Sequence, residues 1–421
     1  MLRPSRSQSP PDTATPLMRL VNNPLLNQVF AVVAFLLAFL LLWALGIRGL
    51  GREGPWMNDF DWFWVGGRVW LSGQSNYDPD AYGSYYLEYL GIPAVTDVLP
   101  YPPAFAPITM VFAAFDLPQA RWLWMVFLLC CILGTAWMAW LTTKSPLENC
   151  RASALRASHW LVPAIVIGMP TTATGLYFGQ PSALLALLLM AGWYCVNRGR
   201  PWVAGVLLGI AAFKPQLVVL PLFWLLLDRQ WKTILSAGFT AFAMSAYVMI
   251  QHGPIRSVFD WLEAMGRYDM GWANVLGSHR IQGVPSALAS LGIPVPDVPV
   301  FLLLALGLTA GLHSFRHRIL KDDVLGILMA IYLGFVFCRR HEFILLTPMF
   351  VAWWLHVGKR SLLWPAFLAI PFMLVVPERL MGLTGLPIMM FWPTVVVILS
   401  GFALLAFSVR GSAAAKCRPL C

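Results

Sequence analysis

Residues 28–47 read QVFAVVAFLLAFLLLWALGI, a run without a charged side chain. A helix needs about 20 predominantly apolar residues to cross the hydrocarbon core of a bilayer. This run is apolar on every face, which a surface helix of a soluble protein never is. It reads as a transmembrane helix, and the rest of the chain agrees with it. Of 421 residues, 59% are hydrophobic and only 11% are charged, against roughly a quarter charged in soluble domains. The composition excludes a soluble globular protein. It predicts an all-α, polytopic integral membrane protein, a helical bundle.

Working outward, further apolar runs lie at about 119–141, 159–176, 180–196, 201–213, 215–227, 233–250, 298–315, 323–338, 343–357, 361–376 and 386–408, which makes about twelve spans with the first. Residues 1–27 are polar, Pro/Ser-rich and basic, and read as a disordered cytoplasmic tail. Residues 28–408 form the membrane domain, and 409–421 a second cytoplasmic tail. No cleavable targeting segment is evident. With the N-terminus inside and the spans alternating, eighteen of the 29 Lys and Arg residues fall on the cytoplasmic side, the bias that inner-membrane proteins show. The net charge of +10 is thus assigned to helix flanks facing the cytoplasm, and no nucleic-acid partner is expected. The seven cysteines include no CxxC pair; neither a disulfide framework nor a metal site is read from them.

Two neighbouring runs are unusual. Segments 201–213 and 215–227 are each too short to cross at 1.5 Å per residue, and both outer ends are basic: RGR before, DRQWK after. A hairpin of two short helices keeps both ends cytoplasmic and puts Lys214 at its tip, within or near the lipid. A lysine there is expensive and points to a function; the plainer alternative is snorkelling to the outer interface.

Two long outer loops remain, at about 48–118 and 251–297. Both are rich in Trp and Tyr, as interfacial segments are. The first contains MNDFDWFWVGGRVWLSGQSNYD at 57–78. Asn58 or Asp59 can cap a helix that begins near Phe60. Gly66 and Gly67 permit close approach of another backbone, and Gly73 ends the helix. The tryptophans suit an amphipathic helix lying on the outer leaflet. Asp59 and Asp61, two residues apart, point to nearly opposite faces. They are not expected to work as a pair: one can face the interior while the other faces water. Gln180, in TGLYFGQPS, and Arg339, Arg340, His341 and Glu342, in FCRRHEFILLTP, lie at outer ends of spans. The arginines can be plain helix-end anchors and His341 an idle interfacial histidine. Yet three basic groups together on the outer face oppose the positive-inside trend and favour an anionic partner such as a phosphate.

Four stretches together resemble the integral-membrane glycosyltransferases of family 87, in the GT-C superfamily: DFDWFWVGGRVWLSGQSNYD, LPYPPAFAP, GQPSALLALLLMAGWYCVNRGRPWVAGVLLGIAAFKPQ and RRHEFILLTP. The likeness runs from about residue 57 to 350, with Glu342 where the family usually has Tyr. It implies a sugar donor carried on a polyprenyl phosphate, commonly mannose, an active site on the periplasmic or exterior face, and a carboxylate base in the first outer loop. That base corresponds to Asp59, which opens the Asp-Phe motif; Asp61 falls where the family pattern asks for nothing acidic. Under this resemblance Lys214, Arg339, Arg340 or His341 would stabilise the departing lipid phosphate. Tyr77, Tyr101 and Gln180 would bind sugar or phosphate. A phosphate leaving group needs no second acid, so one carboxylate and direct inversion are expected. Nothing demands a metal or other cofactor; Asp78, Asp80, Glu88 and Asp97 read as solvated loop residues. The acceptor is a glycolipid, a polysaccharide or a protein.

Two rivals stay open on the sequence. Twelve spans and a half-helix pair with an intramembrane lysine also suit a transporter or lipid flippase, although the two halves show no obvious repeat. A structural subunit of an envelope complex would need none of the candidate residues.

Overall fold

The computed structural model describes residues 24–51, 54–94, 96, 98–147, 159–269, 276–277, 281–357, 370, 374, 385 and 391–416. Residues 1–23 and 417–421, which make up most of the expected tails, lie outside the described residues, as does all of the expected 361–376 span but residues 370 and 374.

Helix α1 (Pro24–Leu41) continues through a π-helical turn (Leu42–Ile47). Its Val29, Phe30, Val32, Leu36 and Leu37 are exposed, a face that only lipid can cover. The first long loop folds into α2 (Asn58–Leu71), α3 (Pro79–Leu90), a 3-10 turn (Pro103–Phe105) and α4 (Ala106–Ala113). Asp78 caps α3 by accepting from the Asp80 amide at 3.0 Å, and Pro79 fills the first helical position, where its missing N–H is not needed.

Helix α5 (Leu117–Leu147) is long and apolar enough to cross a membrane. The 159–176 run then breaks into α6 (Leu161–Gly168) and α7 (Pro170–Phe178), bent by 44°. Pro170 causes the break, because the residue before a proline is pushed out of helical conformation, and Met169 is extended. After α8 (Ser182–Asn197) come α9 (Pro201–Ala211), α10 (Pro215–Leu227) and α11 (Trp231–His252).

The directions of these three helices follow from two glycines. Gly205 lies against Thr233 and Ser236, and Gly209 against Ala237 and Thr240. Contacts that advance together on both helices mean that α9 and α11 run in the same direction. They approach closely because the glycines carry no side chain, the small-xxx-small arrangement of packed membrane helices. Since α11 starts just after α10 ends and level with the start of α9, α10 must return alongside. The expected hairpin is present, with Lys214 at its turn.

The second long loop supplies α12 (Pro254–Asp269), strand β1 (Ile281–Gln282) and α13 (Val284–Ser290). Then follow α14 (Val298–Ser314), α15 (Lys321–Phe335), strand β2 (Cys338–Arg339), a 3-10 segment (Arg340–Leu346), α16 (Thr347–Val357) and α17 (Trp392–Lys416). β1 and β2 pair antiparallel, Ile281 opposite Arg339, which ties the second loop to the segment that carries the basic cluster.

The protein is an all-α membrane protein. Among the described residues, four helices are long and apolar enough to cross a membrane, and up to five if the bent α6–α7 pair counts as one span. Five further apolar helices among the described residues are shorter, at 10–17 residues. Two histidine–carboxylate contacts lie toward the basic ends of the bundle: His313 Nε2 meets Asp228 at 2.7 Å, partly buried, and His356 Nε2 meets Asp323 at 2.7 Å, buried.

Candidate active site

The two long loops, the hairpin turn and the 337–342 segment meet around a cleft of about 100 Å³. Helix α2 forms one wall. The expectation that it lies on the outer leaflet is corrected: Phe60, Phe63, Trp64, Val65, Val69 and Trp70 are all buried in protein. Their rings are occupied by other rings. Phe60 stacks on Trp124 at 5.2 Å, and Phe63 meets Tyr101 edge-on at 5.0 Å. As expected, Gly67 admits a neighbouring backbone, here the Thr109 carbonyl. The cap also differs from expectation. Met57, not Asn58 or Asp59, holds the N-cap position in the left-handed region (φ 61°), with no side-chain cap bond. Its N–H donates to Tyr177 O at 2.8 Å. The carboxylate of Asp59 is thereby released from capping and opens on the cleft.

Asp59 and Asp61 do face apart, but Asp61 does not face water. It is buried and forms a bidentate pair with Arg121, Oδ1 to Nε at 2.8 Å and Oδ2 to Nη2 at 2.7 Å. Asp59 instead accepts from Gln180 Nε2 at 2.5 Å. Burial pushes the Asp59 carboxyl above its ordinary value, although Gln180, Arg339 and Lys214 pull the other way. Its side chain is therefore a stronger base than a solvated carboxylate.

Gln180 reaches Asp59 because α7 ends at Gly179, whose φ of 77° suits a residue without a side chain. A Cβ there would lie 2.6 Å from Phe60 Cβ, and Trp124 Nε1 clamps the Gly179 carbonyl at 2.7 Å. Tyr101 lines the cleft, stacked on Phe105 at 4.4 Å. Tyr77 does not line it. Its hydroxyl donates to Tyr101 O at 2.9 Å from behind, so it braces the wall rather than touching what the cleft holds.

Two cations line the same cleft. Lys214 Nζ, buried at the hairpin turn, lies 3.0 Å from Glu342 Oε1 and 5.8 Å from the Tyr101 ring centre. Glu342 Oε2 accepts from the Arg339 backbone N–H at 2.9 Å. Arg339 Nη2 contacts the Tyr268 hydroxyl at 3.2 Å, and its charge reaches Asp59 across the cleft. His341 lines the cleft and is buried. Burial, then the charges of Lys214 and Arg339, hold it well below the usual histidine range, so it is a neutral hydrogen-bonding group and adds no positive charge. Arg340 does not line the cleft. The cationic set is thus narrower than the four basic residues expected from the sequence.

Sequence reasoning missed four participants and the role of a fifth. Arg121 sits at the start of α5, sixty residues from its partner Asp61, and nothing local marks the pairing. Trp261, Met265 and Tyr268 of α12 close the cleft. Their helical spacing of four and three was visible in the sequence, and so was the opposite face with Ile255, Phe259 and Leu262 exposed. Trp261 Nε1 donates to Pro100 O at 3.4 Å and Arg267 Nη2 to Tyr77 O at 2.6 Å, binding the second loop to the first. Glu342 acts as counter-ion to Lys214, a role its neighbours in sequence do not announce.

A carboxylate facing buried cations across a cleft, within an all-α membrane protein, suits an enzyme that moves a group off a charged, lipid-borne substrate. Comparison with known proteins gives the class of enzyme. The model of Glycosyltransferase family 87 matches residues 99–348, more than half of the chain. The chain belongs to glycosyltransferase family 87, and it is a membrane glycosyltransferase. The match includes Tyr101, Gln180, Lys214, Arg339, His341 and Glu342, while Asp59 precedes it. A polyprenol-phosphate-mannose-dependent alpha-(1-2)-phosphatidylinositol mannoside mannosyltransferase of Mycolicibacterium smegmatis is 27% identical over 350 residues, covering 77% of this chain and 75% of that protein. The protein of the same description from Mycobacterium tuberculosis is 25% identical over 266 residues, 60% of each chain. No solved structure matches. Family membership sets aside the transporter and structural-subunit readings.

Proposed function

We propose that this protein transfers a sugar, mannose, from a polyprenyl-phosphate donor to a glycolipid or polysaccharide acceptor on the non-cytoplasmic face, with inversion and with Asp59 as general base. The observation that carries this reading is the gathering of Asp59, Lys214 and Arg339 in the lining of one cleft. The two similar mannosyltransferases, whose descriptions name a polyprenol-phosphate-mannose donor and a phosphatidylinositol mannoside acceptor, favour mannose and a glycolipid.

The acceptor hydroxyl gives its proton to Asp59 as its oxygen attacks the anomeric carbon. General-base help of this kind contributes roughly 10²–10⁴-fold. The bond to the donor phosphate breaks, and the phosphate carries the negative charge away toward Lys214 and Arg339. Preorganised cations at the position where charge develops are commonly the largest catalytic contribution. Neutral His341 donates a hydrogen bond to the same phosphate, while Tyr101 and Gln180 line the sugar side. Arg340 and Tyr77 are given supporting roles only.

Glu342 is the other carboxylate on the cleft, and a double displacement would use one of the two as nucleophile. Both Glu342 oxygens are engaged, one by Lys214 and one by the Arg339 amide. That leaves Asp59 as the carboxylate able to take a proton, which favours a single displacement. The bundle is proposed to sit in the inner membrane with about twelve spans, the shorter apolar helices completing those long enough to cross alone, and with the cleft toward the periplasm or exterior.

The reaction is tested with purified protein in lipid, a panel of labelled polyprenyl-phosphate sugars and a membrane-lipid extract. Transfer from the mannose donor with inverted configuration at the new linkage is expected. Retention of configuration would overturn the single displacement, and transfer only from a pentose donor would overturn mannose.

A further inference from the structure

Gln180 carries an acceptor that no group among the described residues uses. Its side chain is 8% exposed. Nε2 is committed to Asp59 Oδ2, while Oε1 is buried without a hydrogen-bond partner, on a residue that lines the cleft. The amide does not turn over to relieve this, because a flip would set its oxygen against Asp59, which as the proposed base carries no proton to donate. The backbone cannot shift either: Gln180 N–H is bonded to Gly175 O at 2.8 Å, and the Gly179 carbonyl is held by Trp124. A buried carbonyl without a donor is unfavourable, so the position suits a donor that arrives with the substrate.

The place of that donor follows from covalent geometry. The oxygen and nitrogen of an amide are about 2.2 Å apart, given bonds of 1.23 and 1.33 Å to one carbon. Gln180 Oε1 therefore lies no more than about 4.7 Å from the Asp59 oxygen that Nε2 holds. An attacking hydroxyl at Asp59 and the hydroxyl on the next ring carbon match this spacing.

We propose that Gln180 Oε1 receives the acceptor hydroxyl adjacent to the attacking one, so that the acceptor presents two neighbouring hydroxyls of a sugar ring and Gln180 determines that specificity. The inference rests on Asp59 acting as base in the proposed transfer. The attacking hydroxyl loses its proton to Asp59; its neighbour keeps its own and only donates a hydrogen bond. A site built to bond a substrate hydroxyl discriminates strongly against an analogue that lacks it, because its polar group is left unpaired.

The test uses the full-length protein in lipid, labelled polyprenyl-phosphate mannose, and a panel of alkyl mannosides. The panel holds the parent and deoxy analogues lacking each hydroxyl beside the site of transfer, that site being read from the linkage in the parent's product. One of these analogues should lose at least ~10²-fold in kcat/KM, and a 2-deoxy donor should not show the same loss. In Gln180→Met, which has similar size but no amide, parent and deoxy acceptors should differ by less than about 3-fold. The wild-type comparison decides alone if that variant is inactive. Equal use of parent and deoxy acceptors, selectivity that persists in Gln180→Met, or a loss confined to the 2-deoxy donor would each overturn the assignment. Transfer to a membrane-lipid extract but to no mannoside overturns the acceptor class and leaves the reaction standing. No transfer to either overturns the reaction itself.

Discussion

Asp59 and Asp61 show how neighbouring carboxylates acquire different work. Asp61 is neutralised by a bidentate arginine; Asp59 has no ion pair of that kind, accepts from the Gln180 amide and faces the cleft. Because burial raises Asp59 above its ordinary value, the acid side of the kcat/KM profile should titrate above 3.8, activity falling as the carboxylate takes up its proton. His341 works in the opposite sense. Its folded value lies well below 6.5, so below that pH the unfolded chain binds a proton that the native protein does not, and His341 lowers stability as pH falls. His341→Gln should flatten the loss of melting temperature between about pH 7 and 5. An unchanged slope would place the acid sensitivity elsewhere. The residues themselves were legible: Asp59, Gln180, Lys214, Tyr101, Arg339 and His341 were all chosen from the sequence, and the cleft gathers them. What each one pairs with was not. Lys214 and Glu342 are 128 residues apart, and no local pattern encodes a contact at that distance.

At the level of elements, the hairpin was readable because proline, lysine and flanking charge left few alternatives. The burial of α2 was not, since an aromatic helix looks the same whether its rings meet lipid headgroups or other rings. Its neighbours, Tyr101, Phe105, Phe112 and Trp124, come from later segments and decide the matter. Two predictions belong here. Arg121→Ala leaves the buried Asp61 unpaired and should cost about 3 kcal/mol of stability, seen in thermal unfolding of the purified protein; a melting temperature equal to wild type would mean that Asp61 finds another partner. Gly209→Leu forces a side chain into Ala237 and Thr240 and should destabilise by roughly 1–3 kcal/mol. Because α9 leads to Lys214, it should lower transfer as well, even though Gly209 does not line the cleft.

For the whole molecule, composition alone was enough for an all-α membrane protein, but not for counting spans. Hydropathy marks apolar runs, whereas crossing depends on where Pro and Gly break them, as at Met169–Pro170 between α6 and α7. Sidedness can be measured directly. In a cysteine-depleted background, Asp80→Cys in the first loop should react with an impermeant thiol reagent in intact cells, and Arg198→Cys at the α8–α9 turn only after permeabilisation. The reverse pattern would invert the orientation and put the cleft in the cytoplasm. The central claim is that one carboxylate in this cleft drives sugar transfer from a lipid phosphate. Its most direct test is the single-turnover rate of label transfer from polyprenyl-phosphate mannose by wild type, Asp59→Asn and Asp61→Asn, each first shown to be folded. Asp59→Asn should be slower by roughly 10²–10⁴-fold, with Asp61→Asn retaining transfer in proportion to its folded fraction. A folded Asp59→Asn protein that transfers at the wild-type rate would contradict the account.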